Sequence, residues 1–216
     1  MNWSFAYVFT IFISLLAGLS VYFQRKEDGY LRLFPIFLLI TLLVESTSMF
    51  GLVRRNANAA MYNFFSVLEF SFYFFILGEI IKNVRVKKIV RAIIWLYGLL
   101  AIGNIIFIQK IYGFPSLTYM IGAFLIVVIC IYYFFELFQI SHSVTLVRQP
   151  AFWICSGLLF FYCCSFPIFA SMNLTKTLPP FIFRNFGLIV NILNVLLYSS
   201  FTIAFVCRLR TRKSIS

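Results

Sequence analysis

Seven apolar runs, each about 20 residues long, dominate this chain, and few kinds of protein can be built from such runs. They cover residues 3–23, 33–53, 59–81, 89–108, 115–138, 151–172 and 181–207. At a rise of about 1.5 Å per residue, roughly 20 residues carry a helix across a hydrocarbon core some 30 Å thick. Of the 216 residues 62% are hydrophobic and only 11% charged, where a soluble domain has about half and a quarter. The bilayer is therefore the expected solvent. Backbone groups in lipid must be satisfied within the protein, which leaves helices or closed barrels, and runs without period-two alternation exclude the barrel. The expectation is an all-α bundle of seven transmembrane helices forming a single membrane domain over 1–216, with connections too short to fold alone. The first run has nothing basic before it and exceeds a signal peptide's apolar region of about 7–15 residues, so it reads as a retained helix.

Charge sets the predicted orientation. Lys and Arg are retained on the cytoplasmic side of short loops. With the amino terminus outside and the carboxyl terminus cytoplasmic, the inner segments hold Arg25, Lys26, Arg32, Lys82, Arg85, Lys87, Lys88, Arg91, Arg148, Arg208, Arg210, Arg212 and Lys213, and the outer ones only Arg54, Arg55, Lys110, Lys176 and Arg184. The net charge of +12 thus belongs to topology and gives no reason to expect nucleic acid. The basic stretch 82–91 also suits anionic lipid. The cysteines, at 130, 155, 163, 164 and 207, lie in or at the edge of apolar runs and read as small hydrophobes, with no disulfide framework.

Only six acidic residues occur, and two of them, Glu45 and Glu69, fall deep inside runs two and three. An ionisable group at that depth costs a few kcal/mol, so it faces the bundle interior or a wet cavity. Residues 52 and 61 flank the turn between these two runs, which predicts that Glu45 and Glu69 lie at nearly the same depth. Tyr62, Ser66, Glu69 and Tyr73 share one helical face by their +4, +3, +4 spacing, and Ser48 shares a face with Glu45. Asn191, Asn194 and Tyr198 form a stripe on run seven, Asn104 lies in run four and Tyr162 near the middle of run six. Together these make a predicted polar layer just outward of the midplane. It reads either as a pocket for a small molecule, ion or proton, or as hydrogen-bonded glue between helices at about 0.6 kcal/mol per bond. Pro167 predicts a kink in run six, and Gly98, Gly103, Gly122 and Ala123 predict close helix approach. Glu79 and Glu136 lie near cytoplasmic helix ends and pair or snorkel there.

Enzymatic readings lack their parts. His142 is the sole histidine, which leaves a zinc site and a Ser–His–Asp triad without ligands or base. Asp28 is the sole aspartate, which excludes an aspartyl dyad. No catalytic residue, metal site or cofactor is expected.

Tyr62-Asn63-Phe64 through Glu69 to Tyr73, and Phe152-Trp153-Ile154 followed by Gly157 and Tyr162, resemble small uncharacterised bacterial seven-helix membrane proteins. The resemblance implies a multi-pass protein of the bacterial inner membrane and marks Asn63, Glu69, Trp153 and Tyr162 as positions of interest. It implies no activity. Asn63-Phe64 with Glu69 and Asn185-Phe186 with Asn191 also repeat at one offset, as two parallel three-helix repeats would. The functional expectation is a non-enzymatic sensor or signalling subunit, binding a small ligand or protons and acting on a membrane or cytoplasmic signalling protein. The alternative is a small transporter or proton-coupled carrier in which Glu45 and Glu69 titrate.

Overall fold

A computed structural model describes residues 3–23, 29–108, 116–139, 146–174 and 180–213 of the chain. They form seven α-helices: α1 Trp3–Leu19, α2 Phe34–Met49, α3 Arg55–Ile80, α4 Val84–Gly103, α5 Ser116–Gln139, α6 Pro150–Leu174 and α7 Pro180–Lys213. Seven helical stretches are long and apolar enough to cross a membrane. Arg25, Lys26, Asp28, Lys110, His142 and Lys176 lie outside the described residues.

Two end signals set the register of the α2–α3 hairpin. Gly51 has φ +62°, the left-handed conformation that glycine adopts without the Cβ penalty. Its N–H donates to Ser48 O at 3.1 Å, and the Leu52 N–H donates to Thr47 O at 3.1 Å. This is the Schellman pattern, which terminates α2 at Met49 although apolar residues continue to Val53. α3 then begins at Arg55, four residues before the apolar run does. Similarly, α4 begins at Val84 rather than 89, because the Asn83 side chain accepts from the Arg85 and Val86 N–H groups at 2.9 and 3.4 Å. An Asn cap satisfies donors that the first helical turn leaves open, so helix forms through a charged stretch.

The helices follow one another around the bundle as α1, α2, α3, α5, α6 and α7, with α7 closing on α1 and α4 lying outside against α3 and α5. α4 accordingly exposes Trp95 (79%) and Leu99 (70%). The inner face of α3 reaches across to α6 and α7. The Tyr73 ring lies 6.2 Å from the rings of Tyr162 and Phe201, and Phe70 lies 5.4 Å from Tyr162. Phe34 and Phe37 of α2 complete this aromatic core against Phe72 of α3 at 5.1 and 4.1 Å.

Small residues matter at two of the crossings. A Cβ on Gly122 of α5 would stand 2.7 Å from ring carbons of Phe70, and one on Gly157 of α6 would stand 2.8 Å from Ser200 of α7. Gly98 and Gly103 do not behave as expected, because a Cβ on either meets nothing within 4 Å; they sit on the outlying helix. α6 remains helical through Pro167. The carboxylates at the α3–α4 end of the bundle have defined partners. Glu136 of α5 accepts from the Lys82 and Asn83 N–H groups at 2.9 and 2.7 Å, fixing the α3–α4 turn. Glu79 pairs with Lys87 at 2.8 Å and Arg91 at 2.9 Å.

Candidate functional site

The two deep carboxylates stand in different surroundings. Glu45 Oε2 accepts hydrogen bonds from the hydroxyls of Tyr7 on α1 at 2.7 Å and Tyr62 on α3 at 2.9 Å. Close by, Asn58 Nδ2 donates to Ser48 Oγ at 3.2 Å. These bonds tie α1, α2 and α3 together near the turn that ends α2. Both phenol donors are thereby used.

Glu69 lies deeper. Level with Glu45 on α3 stands Tyr62, so Glu69 is seven residues, roughly 10 Å, further along the axis. The expectation of equal depth is thus corrected. It took the turn to lie between residues 52 and 61, whereas Gly51 ends α2 early and α3 starts at Arg55, which shifts the pairing by about one and a half to two turns.

Phenols from five helices cluster beside Glu69. Tyr97 of α4, Tyr119 of α5 and Tyr162 of α6 meet around Phe70, the residue next to it, Tyr73 of α3 lies 6.2 Å from Tyr162, and Tyr198 of α7 lies 5.9 Å from Phe201, itself 6.2 Å from Tyr73. Tyr62 stands two turns before Glu69 on α3. Tyr73 and Tyr162 are fully buried, and Tyr97 and Tyr198 nearly so. The Tyr162 hydroxyl has no hydrogen-bond partner among the described residues. Tyr73, one turn beyond Glu69 on the same helix, interacts with it, but its hydroxyl falls short of hydrogen-bonding geometry. Glu69 and Tyr119 are half-buried rather than buried, so part of their surface stays open to a particle the size of water. Phe70 holds the ring of phenols in place, with its centroid 5.3 Å from Tyr97, 5.3 Å from Tyr119 and 5.4 Å from Tyr162.

The predicted polar layer therefore divides into separate groups. Glu45, Ser48 and Tyr62 belong to the hydrogen-bonded group near the α2–α3 turn. Glu69, Tyr73, Tyr162 and Tyr198 meet at the centre. The Ser66 hydroxyl turns back to Asn63 O at 2.9 Å. Asn104 donates to Thr118 Oγ1 at 3.4 Å, linking the π-helical turn after α4 to α5. Asn191 and Asn194 are half-buried on α7, and of their stripe it is Tyr198 that stands within reach of Glu69.

Tyr7, Asn58, Tyr97 and Tyr119 were not expected at either group. Counting outward from the α3–α4 turn places Tyr97 opposite Glu69, a signal available in the sequence. Tyr119 is one tyrosine near the start of an apolar run and carries no such mark.

Chemically, the centre offers one carboxylate, several phenol oxygens and aromatic faces, with no described Lys, Arg or His beside it to neutralise the carboxylate. It is suited to taking up a proton or a small cation. No protein family, curated protein or solved structure matches the chain.

Proposed function

We propose that this is a non-enzymatic multi-pass protein of a bacterial cell membrane, amino terminus outside, that senses a small ligand or protons at Glu69 and signals through a partner. The observation that supports it best is a carboxylate deep in α3, without a basic partner among the described residues, beside a cluster of phenols from five helices. Groups carried by separate helices convert occupancy into a change of helix packing, since each helix then has a different best position with and without the bound charge. The outlying α4, with its exposed Trp95 and the basic turn before it, is the surface on which a membrane or cytoplasmic partner would read that change.

Purification at native abundance in mild detergent, from cells carrying wild type or Glu69→Gln, tests the reading. A stoichiometric companion whose recovery or activity changes in Glu69→Gln is the expected result. A solitary protein in both preparations contradicts it.

One observation favours a carrier instead. Tyr62 bonds to Glu45 and stands two turns before Glu69 on α3, which sets two carboxylates in series from one end of the bundle to its middle. A proton-coupled carrier in liposomes would lose coupled flux in Glu69→Gln; flux that survives both Glu45→Gln and Glu69→Gln would sink this version.

A further inference from the structure

We infer that the ligand at Glu69 is a small primary ammonium ion, held by the carboxylate and by phenol oxygens that include Tyr162. This rests on the reading of Glu69 as a binding site and names what it binds.

The charges that surround the site fix the valence. The neighbouring groups contributed by α3 to α7 are phenols, and α2 contributes Glu45, whose Oε2 already accepts two hydrogen bonds. One carboxylate is therefore left for one positive charge. No group of three His, Cys, Asp or Glu that could hold a metal ion occurs among the described residues, which argues against a divalent cation.

Hydrogen bonding separates an ammonium from a bare proton. A fully buried hydroxyl without a partner costs about 1–3 kcal/mol, and the Tyr162 hydroxyl is one such group. A proton on Glu69 neutralises the charge but brings no new atom within reach of Tyr162 on the facing helix. A primary ammonium carries three N–H donors. One can go to the carboxylate, and the others to phenol oxygens on facing helices.

The walls narrow the choice again. Phe70 and Tyr73 pack their rings against that of Tyr162, and Phe201 packs against Tyr73. Aromatic faces attract a cation by about 0.5–2 kcal/mol, most strongly when it is desolvated. They offer little to replace the water shell of an inorganic ion but pack well against a short alkyl tail. Glu69 and Tyr119 are half-buried, and the molecule would reach them from that side.

The test uses the full-length protein in lipid nanodiscs, with thermal unfolding followed as n-propylammonium is added at fixed pH and ionic strength. Tetramethylammonium, which has the charge but no N–H, and 1-propanol, which has the tail but no charge, are run in parallel. The expected result is saturable stabilisation by propylammonium alone. It disappears in Glu69→Gln and needs about tenfold more amine in Tyr162→Phe, the effect of one hydrogen bond to a charged group. Tyr162→Phe keeps the ring, so it reports on the site even if Glu69→Gln folds poorly. No response to propylammonium, an equal response in Glu69→Gln, or an equal response to tetramethylammonium overturns the inference. Unfolding of wild type and Glu69→Gln without amine at pH 5 and pH 8 separates the two levels of the proposal. A Glu69-dependent pH response without an amine response leaves proton sensing standing, and the lack of both removes the binding site altogether.

Discussion

Glu45 and Glu69 are the same residue type on neighbouring helices, yet they sit in opposite conditions. Glu45 lies near a helix turn and receives two phenol hydrogen bonds. Glu69 lies about two turns deeper, among more phenols, and at least one of them is left without a partner. A membrane bundle that needs glue completes its hydrogen bonds, because an unsatisfied group in low dielectric is costly. A carboxylate beside a fully buried phenol that lacks a partner is arranged for something that comes and goes. On this view Glu45 is architecture, Glu69 is the site, and Tyr62 stands between them.

Several substitutions would break or sharpen that contrast. The largest effect is expected at Glu69. Glu69→Gln should lower amine affinity at least 100-fold, since it removes the buried counter-charge, while the protein elutes as a single helical species; retained affinity would collapse the distinction. Next, Glu45→Leu should cost about 2–6 kcal/mol in unfolding, because the Tyr7 and Tyr62 hydroxyls lose their acceptor at about 1–3 kcal/mol each. Its amine affinity should stay within about threefold of wild type. Gly122→Ala should cost about 1–3 kcal/mol, because the new methyl group would meet the Phe70 ring that positions Tyr97, Tyr119 and Tyr162. Unlike Glu45→Leu, it should also weaken amine binding. The smallest effects form a pair: Tyr7→Phe should lose about 0.6 kcal/mol, typical of a hydrogen bond between membrane helices, whereas Tyr162→Phe should leave stability unchanged or slightly raised. Chemical or thermal unfolding in the same lipid resolves the two signs.

The gross fold is readable because lipid imposes one rule on every run: about 20 apolar residues must form a helix. All seven helices appear where the runs predict them. Their ends do not, since a run's end marks where apolar residues stop and a helix's end marks where a cap forms. Gly51 stops α2 while the sequence is still apolar, and Asn83 starts α4 while it is still charged. That shift of a few residues is what separates Glu45 from Glu69 in depth. Within the site, Glu69, Tyr73, Tyr162 and Tyr198 were readable from helical spacing and from the cost of burying a carboxylate. Tyr97 could be found only by pairing α3 with α4 across their turn, and Tyr119 was not legible, because a lone tyrosine in an apolar run looks like any lipid-facing aromatic until its neighbours across the bundle are known. Tyr7 was missed for the same reason.

The most direct test of the contrast is the unfolding free energy of Glu45→Leu and Glu69→Leu, measured side by side in one lipid composition without added ligand. If Glu45 is structural and Glu69 is reserved for a ligand, Glu45→Leu is strongly destabilised and Glu69→Leu is as stable as wild type or more so. The reverse order, or equal losses, would contradict the assignment of the site to Glu69.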